Sequence, residues 1–350
     1  MTTTRKQYLD FLRTIAIIAV VIVHATARCI RPLDYVDLNY RVGRVLIAAG
    51  QWAVPIFVMI CGSLFLSPER DIPVTKPITR NLPRIAAAYL FWSCIYTLIF
   101  STIPHFEVFS RAGMRNTLAG TLKGGSSHLW YLWMLSGLYL LTPVLRNCVK
   151  NATAELMCYF LAICFLMTSI LPLARNIPVV EEIFGADLDI LNSAFFGGYV
   201  FYFVLGSWLD TVKLQARTIT CLYAAGIAGL LISCGGVFCD PVPDSALGGG
   251  ISDNLSPCVV LTSAALFVAV KNRSAAKASP VLTILSKYSF GLYLSHNLFL
   301  DTIGVRLVSQ LVPQVPPLLV AAALIPCTLL FGITLTALIR CLKPVGHYIT

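Results

Sequence analysis

Charge is scarce in this chain. Of its 350 residues only 12% are Asp, Glu, Lys or Arg, where a soluble domain carries about 25%. With 57% hydrophobic residues and a mean hydropathy of +0.79, an ordinary water-soluble enzyme is excluded. Acids are the scarcer sign, 16 against 26 bases, and the mid-helix acids that proton-coupled carriers use are missing. The 12 cysteines show neither C-x-x-C spacing nor nearby histidine partners, so they read as small buried hydrophobes and no metal is expected. Cys234 and Cys239 alone leave a disulfide open. No inverted repeat is apparent, and the longest loop, 104–127, is too short to bury a core of its own. The first apolar run lacks the small-residue cleavage pattern of a signal peptide and carries Arg13 and His24, which makes it a retained helix.

What is present is a succession of apolar runs near the ~20 residues needed to cross a bilayer. Polar breaks divide them into ten expected helices, near 9–28, 44–66, 84–103, 128–146, 155–174, 190–209, 218–238, 256–271, 281–300 and 315–340. The expectation is an all-α integral membrane bundle, one membrane-embedded domain over 1–350 with no separate soluble domain and both termini cytoplasmic. That topology accounts for the net charge of +10, which in a soluble chain would suggest nucleic acid; no nucleic-acid partner is expected. It places 17 of the 26 bases and five of the 16 acids on the cytoplasmic side, as the positive-inside rule requires. Arg28, Arg31, Arg41 and Arg44 depart from the pattern by crowding the first outer loop and its edges. They suit an anionic acceptor such as a diphosphate-linked sugar, and internal ion pairs explain them equally well.

The informative residues are the ionisable ones inside apolar runs, since a charge near the bilayer centre costs ~2.5–3.5 kcal/mol on insertion scales. In the first helix Arg13 and His24 are eleven positions apart, about 20° past three turns and about 16 Å along the axis. Asp10 falls on the same stripe, one turn before Arg13. One reading is structural: Arg13 reaches the surface, Asp10 balances it and His24 bonds a neighbouring helix. The other is a cationic anchor for an anionic ligand with a general base beyond it, histidine being suited by its ordinary pKa of ~6.5. Lys76, Arg80 and Arg84 recur every four residues and can share a face, although Pro77 and Pro83 argue against an unbroken helix there. His128, Trp130, Tyr131 and Trp133 open the fourth run, either as an interfacial aromatic belt or as part of a sugar site. His296, with Asn297 beside it, reads as a packing histidine.

Five segments in order resemble the acyltransferase 3 family of membrane-bound O-acyltransferases. They are Asp10-Phe-Leu-Arg13 with His24; Gly50 to Leu66, with Cys61 where a Ser is more usual; Thr79-Arg80-Asn-Leu-Pro83-Arg84, a partial match to a double-Arg pattern; Ser127 to Trp133; and Ser289 to His296. The resemblance implies transfer of an acyl group, most often acetyl, from cytoplasmic acyl-CoA to a hydroxyl of a cell-surface carbohydrate or lipid-linked sugar precursor. It implies His24, Arg13 and Asp10 as catalytic residues. Arg13, Lys76, Arg80 and Arg84 would hold acetyl-CoA, and His128, Trp130 and Tyr131 the acceptor. The implied location is the bacterial cytoplasmic (inner) membrane, multi-pass. The competing expectations are a multi-pass transporter or flippase for a surface-polymer precursor, and a membrane-embedded sensor or scaffold.

Overall fold

The computed structural model describes residues 6–68, 73, 75–102, 110–174, 198–242, 250–273, 280–343 and 346–350. Among them every regular element is helical. The first half comprises α1 (Gln7–Ile30), α2 (Leu38–Gly50), α3 (Ala53–Phe65), α4 (Leu82–Thr97), α5 (Arg111–Lys123), α6 (Trp130–Asn151) and α7 (Ala154–Phe165). The second comprises α8 (Gly198–Thr211), α9 (Ala216–Cys239), α10 (Pro257–Asn272), α11 (Pro280–Phe299), α12 (Val305–Leu311) and α13 (Pro317–Cys341). Among the described residues, eight stretches are long and apolar enough to span a bilayer: 7–30, 38–65, 77–100, 127–151, 154–173, 216–239, 250–272 and 317–341. The expected runs at 190–209 and 281–300 correspond to α8 and α11, with 190–197 outside the described residues. The protein is therefore an all-α integral membrane protein.

α1 is the central element. It packs on α2, α3, α10, α11 and α13, and 61% of its apolar stretch is buried inside the protein against 22% for α9. Its charged residues can be stable there only if neighbouring helices complete their hydrogen bonds. Asp10 Oδ1 accepts from Arg13 Nη1 at 2.9 Å and from Ser286 Oγ at 2.8 Å, which ties the start of α1 to α11. Lys6 Nζ lies 2.8 Å from Asp210 Oδ2, and the Tyr8 hydroxyl donates to the same carboxylate, fixing α1 to the end of α8.

Three sequence expectations need adjustment. The second run begins at Leu38 and not near 44, so Arg41 lies within α2 instead of the first outer loop, and Arg44 is inside the helix and not at its start. Pro77 opens a π turn, Pro77–Asn81, and Pro83 stands in the first turn of α4, where a missing N–H costs no helical bond. The segment 104–127 contains α5, capped by the Ser110 hydroxyl accepting from Gly113 N–H and ended by Gly124 at φ 112°. Its Met114, Leu118 and Leu122 stripe faces outward, the pattern of a helix lying against a membrane interface. Cys234 and Cys239 are both free thiols; five positions on one helix turn them about 140° apart.

α3 and α8 cross in direct backbone contact because each offers a glycine. A methyl on Gly62 would stand 1.7 Å from the Phe203 carbonyl oxygen, and one on Gly206 2.1 Å from that of Met59. Ser63 Oγ, 3.0 Å from the Gly206 carbonyl, bonds across the same crossing. Gly206→Ala is expected to lower the apparent melting temperature in detergent, at a cost at or above the ~1–3 kcal/mol usual for overpacking. Gly235→Ala, where a methyl meets nothing within 4 Å, is expected to leave it unchanged or slightly raised. Equal melting of the two variants would contradict the close crossing.

Candidate active site

The structure brings together three histidines from distant parts of the chain: His24 of α1, His128 at the turn opening α6, and His296 of α11. The His24 and His296 ring centroids are 4.9 Å apart, and those of His128 and His296 are 5.0 Å apart, so His296 stands between the other two. His128 and His296 are buried, and His24 is enclosed beside them. Tyr96 and Tyr293 pack edge-on against His128 at 5.2 and 5.6 Å, and the Tyr293 hydroxyl donates to the His128 carbonyl.

The hydrogen bonds around the rings follow from which partners can only donate or only accept. Arg28, one turn beyond His24, holds Nη1 3.0 Å from His24 Nδ1. A guanidinium only donates, so Nδ1 is the acceptor and neutral His24 carries its proton on Nε2. The same guanidinium is forked onto Asp301 (Nε to Oδ1 3.0 Å, Nη2 to Oδ2 3.3 Å) and donates to Asn297 Oδ1 at 3.1 Å. Asp301 reaches it from a π turn, Leu300–Gly304, that continues α11. His128 Nδ1 faces the Ser126 hydroxyl at 2.8 Å, with Nε2 3.4 Å from the Leu294 carbonyl. His296 Nδ1 donates to the Tyr293 carbonyl at 2.6 Å, while its Nε2 is buried with no hydrogen-bond partner among the described residues.

Two adjoining cavities lead toward this cluster from the basic end of the bundle. The outer one, about 490 Å³, is bordered by Lys6, Arg13, Arg84, Lys287 and Arg340, with Asp10 the single acid. The deeper one, about 290 Å³, shares Arg13, Arg84, Leu64, Ser289 and Phe290 with it and continues along Phe57, Cys61 and Tyr139 to Tyr131 and Tyr293. Tyr293 closes the deep end and touches the His296 ring at 5.8 Å, so the histidines lie directly behind the cavity wall. From Asp10 to His24 is fourteen residues, about 21 Å of helix. The cluster therefore sits near the end of α1 opposite the basic mouth.

Of the residues singled out from sequence, Asp10, Arg13 and Arg84 meet at the mouth, Tyr131 lines the deep cavity, and His24 and His128 join the cluster. Lys76 and Arg80 are exposed and border neither cavity. Trp130 is 41% exposed and packs on Tyr199 outside the cluster. Lys6, Lys287 and Arg340 complete the mouth. All three are visible in the sequence as bases of the inner side, but nothing there distinguishes them from ordinary anchors. Two further residues belong here: His296, which reads from sequence as a packing histidine, and Arg28, for which an internal ion pair is one of the two readings the sequence leaves open. His296 is central to the cluster, and Arg28 is turned inward onto Asp301.

Removing the carboxylate from the Arg28 fork should be costly. Because charge-assisted hydrogen bonds contribute ~1.5–3 kcal/mol and each kcal/mol shifts melting by ~2–4 °C in larger domains, Asp301→Ala is expected to lower the apparent melting temperature by roughly 3–12 °C. Arg31→Ala, at an exposed arginine, should shift it by no more than about 1 °C, since surface substitutions are usually near neutral. Similar small shifts in both would mean that the fork contributes little.

A family model described as an acyltransferase domain matches residues 6–337. No curated protein and no solved structure matches the chain. The matched region takes in all three clustered histidines, the whole deeper cavity and every residue of the basic mouth except Arg340, and on that evidence the chain belongs to the acyltransferase 3 family and is a multi-pass membrane acyltransferase.

Proposed function

We propose that the protein transfers an acyl group, most simply acetyl, from cytoplasmic acyl-CoA to a hydroxyl of a cell-surface carbohydrate or lipid-linked sugar precursor, and that it works in the bacterial inner membrane. The observation that carries the reading is the continuity of the basic mouth with a narrow, aromatic-walled cavity that ends against the histidine cluster. Acyl-CoA has the matching shape: a polyanionic nucleotide head and a thin, nearly uncharged arm that ends in the thioester. Lys6, Arg13, Arg84, Lys287 and Arg340 would hold the phosphates, guanidinium forks being well suited to that geometry. Arg13 is fixed for this by Asp10, itself held by Ser286.

The arm then runs between Phe57, Cys61, Leu135 and Tyr139 and delivers the thioester past Tyr131 and Tyr293. At the cluster the acceptor hydroxyl attacks the thioester carbonyl with acid–base help from the imidazoles. The cluster's position toward the far end of α1 suits an acceptor that arrives from the opposite face, with His128 nearest the Trp130 and Tyr131 rings. A polar, buried site walled by aromatic rings also excludes water, which would otherwise hydrolyse the thioester.

Sealed inverted membrane vesicles given radiolabelled acetyl-CoA are expected to incorporate label into lipid-linked or polysaccharide material, whereas sealed right-side-out vesicles are not. Arg13→Ala should raise the donor KM by ~10-fold or more, the loss of one charge-assisted contact of about 1.4 kcal/mol or greater. Incorporation from the right-side-out orientation alone, or an Arg13→Ala enzyme with unchanged donor KM, would overturn the assignment of the basic mouth to the donor.

A further inference from the structure

We propose that the base that takes the proton from the acceptor hydroxyl is His296, acting through Nε2, and that His24 is a hydrogen-bond donor beside it. This rests on the acyl-transfer reading above and deepens it. A general base needs an uncommitted lone pair within reach of the proton it removes. A neutral imidazole has only one lone pair in the ring plane, on the nitrogen that lacks hydrogen.

Each ring of the cluster can be decided on that ground. The His24 lone pair, on Nδ1, is filled by the Arg28 guanidinium at 3.0 Å, and Arg28 is itself held in place by Asp301 and Asn297. The His128 lone pair, also on Nδ1, is filled by the Ser126 hydroxyl at 2.8 Å, because its Nε2 faces the Leu294 carbonyl, which can only accept. At His296 the order is reversed. The Tyr293 carbonyl at 2.6 Å fixes the proton on Nδ1, and the lone pair is left on Nε2, buried and without a partner among the described residues. An unfilled buried acceptor costs free energy unless a ligand completes it. A substrate hydroxyl supplies the missing donor.

The donors left over agree with this. Neutral His24 presents Nε2–H, and the Asn297 amide, with Oδ1 occupied by Arg28, has its Nδ2 buried without a partner among the described residues. In the step that follows, the acceptor oxygen forms a bond to the thioester carbonyl carbon while its proton passes to His296 Nε2. The carbonyl electron pair moves onto oxygen, where His24 Nε2–H and Asn297 Nδ2 are the available donors. The tetrahedral adduct collapses as the C–S bond breaks, and the imidazolium of His296 returns the proton to the departing CoA sulfur. The products are the O-acyl ester and free CoA thiol, with His296 neutral again. The Tyr293 carbonyl, which accepts from Nδ1–H, stabilises the imidazolium in between.

Glutamine separates the two roles, since its amide offers an N–H near the position of imidazole Nε2 but cannot act as a base. His296→Gln and His24→Gln would be compared with wild type in membranes, at matched protein levels, for transfer from acetyl-CoA. Loss of a general base should lower kcat by ~10²–10⁴-fold in His296→Gln, with the donor KM changed less than about threefold because the donor-binding cations are untouched. His24→Gln should retain kcat within about tenfold of wild type, an N–H donor being preserved. The reverse pattern, with His24→Gln inactive and His296→Gln active, would overturn the proposal, as would full activity in both. Should His296→Gln fail to accumulate in the membrane, His24→Gln decides alone: retained transfer supports His296, and transfer lost with normal donor binding returns the base to His24. Wild-type membranes that bind acetyl-CoA but transfer nothing would instead remove the acyl-CoA reading on which the proposal stands.

Discussion

A guanidinium has more donors than any one neighbour can accept, and the far end of the bundle is arranged around those of Arg28. Asp301 takes two of them, Asn297 a third and His24 Nδ1 a fourth. In an apolar bundle the alternative is unsatisfied charge, which a bilayer tolerates poorly. The consequences extend beyond stability. The contact joins α1 to α11 and its continuation, brings His24 against His296, and settles which nitrogen of His24 carries the proton. Positions on two helices far apart in sequence meet because a single cation has to be completed, and His128 joins them through its contacts with His296 and Tyr293.

The other end of the molecule meets the same requirement differently. Asp10 shares its carboxylate between Arg13 and Ser286, and Asp210 receives Lys6 and Tyr8, so two acids anchor the start of the central helix. The mouth these contacts frame still carries an excess of positive charge, with Arg84 and Arg340 both turned toward the Thr350 carbonyl. Charge therefore falls from the mouth to the aromatic cavity and is absent where the cavity ends against Tyr131 and Tyr293. A molecule with an anionic head and an apolar arm is oriented by that gradient before any specific contact forms.

Much of this was legible in the residues. Asp10, Arg13 and His24 stand out because polar groups in an apolar helix are costly and so few, and their common stripe is a matter of helical period. The helices were legible for the same reason, run by run, except α5, whose 13 amphipathic residues are too short and too polar to register as a span, and α12, whose seven residues fall between two expected runs. What periodicity does not contain is which helices meet. His296 lies in an apolar stretch like many packing histidines, and only its placement between His24 and His128 gives it a different meaning. For Arg28, at the outer end of the first run, the sequence leaves an anionic acceptor and an internal ion pair equally open, because the partner it takes, Asp301, is 273 residues away. Lys76 and Arg80 share the four-residue spacing of Arg84, but the π turn at Pro77–Asn81 leaves them exposed and away from both cavities.

The central claim is that one passage connects the basic mouth to the histidines, and an acyl-CoA carrying a photoreactive diazirine on its acyl group tests it most directly. After irradiation of membranes and mapping of the adducts by mass spectrometry, the account predicts labels on the deep-cavity residues Phe57, Cys61, Tyr131 and Tyr293, all suppressed by excess acetyl-CoA. Labels confined to peripheral helices such as α9, or labels on the cavity that acetyl-CoA does not displace, would contradict it.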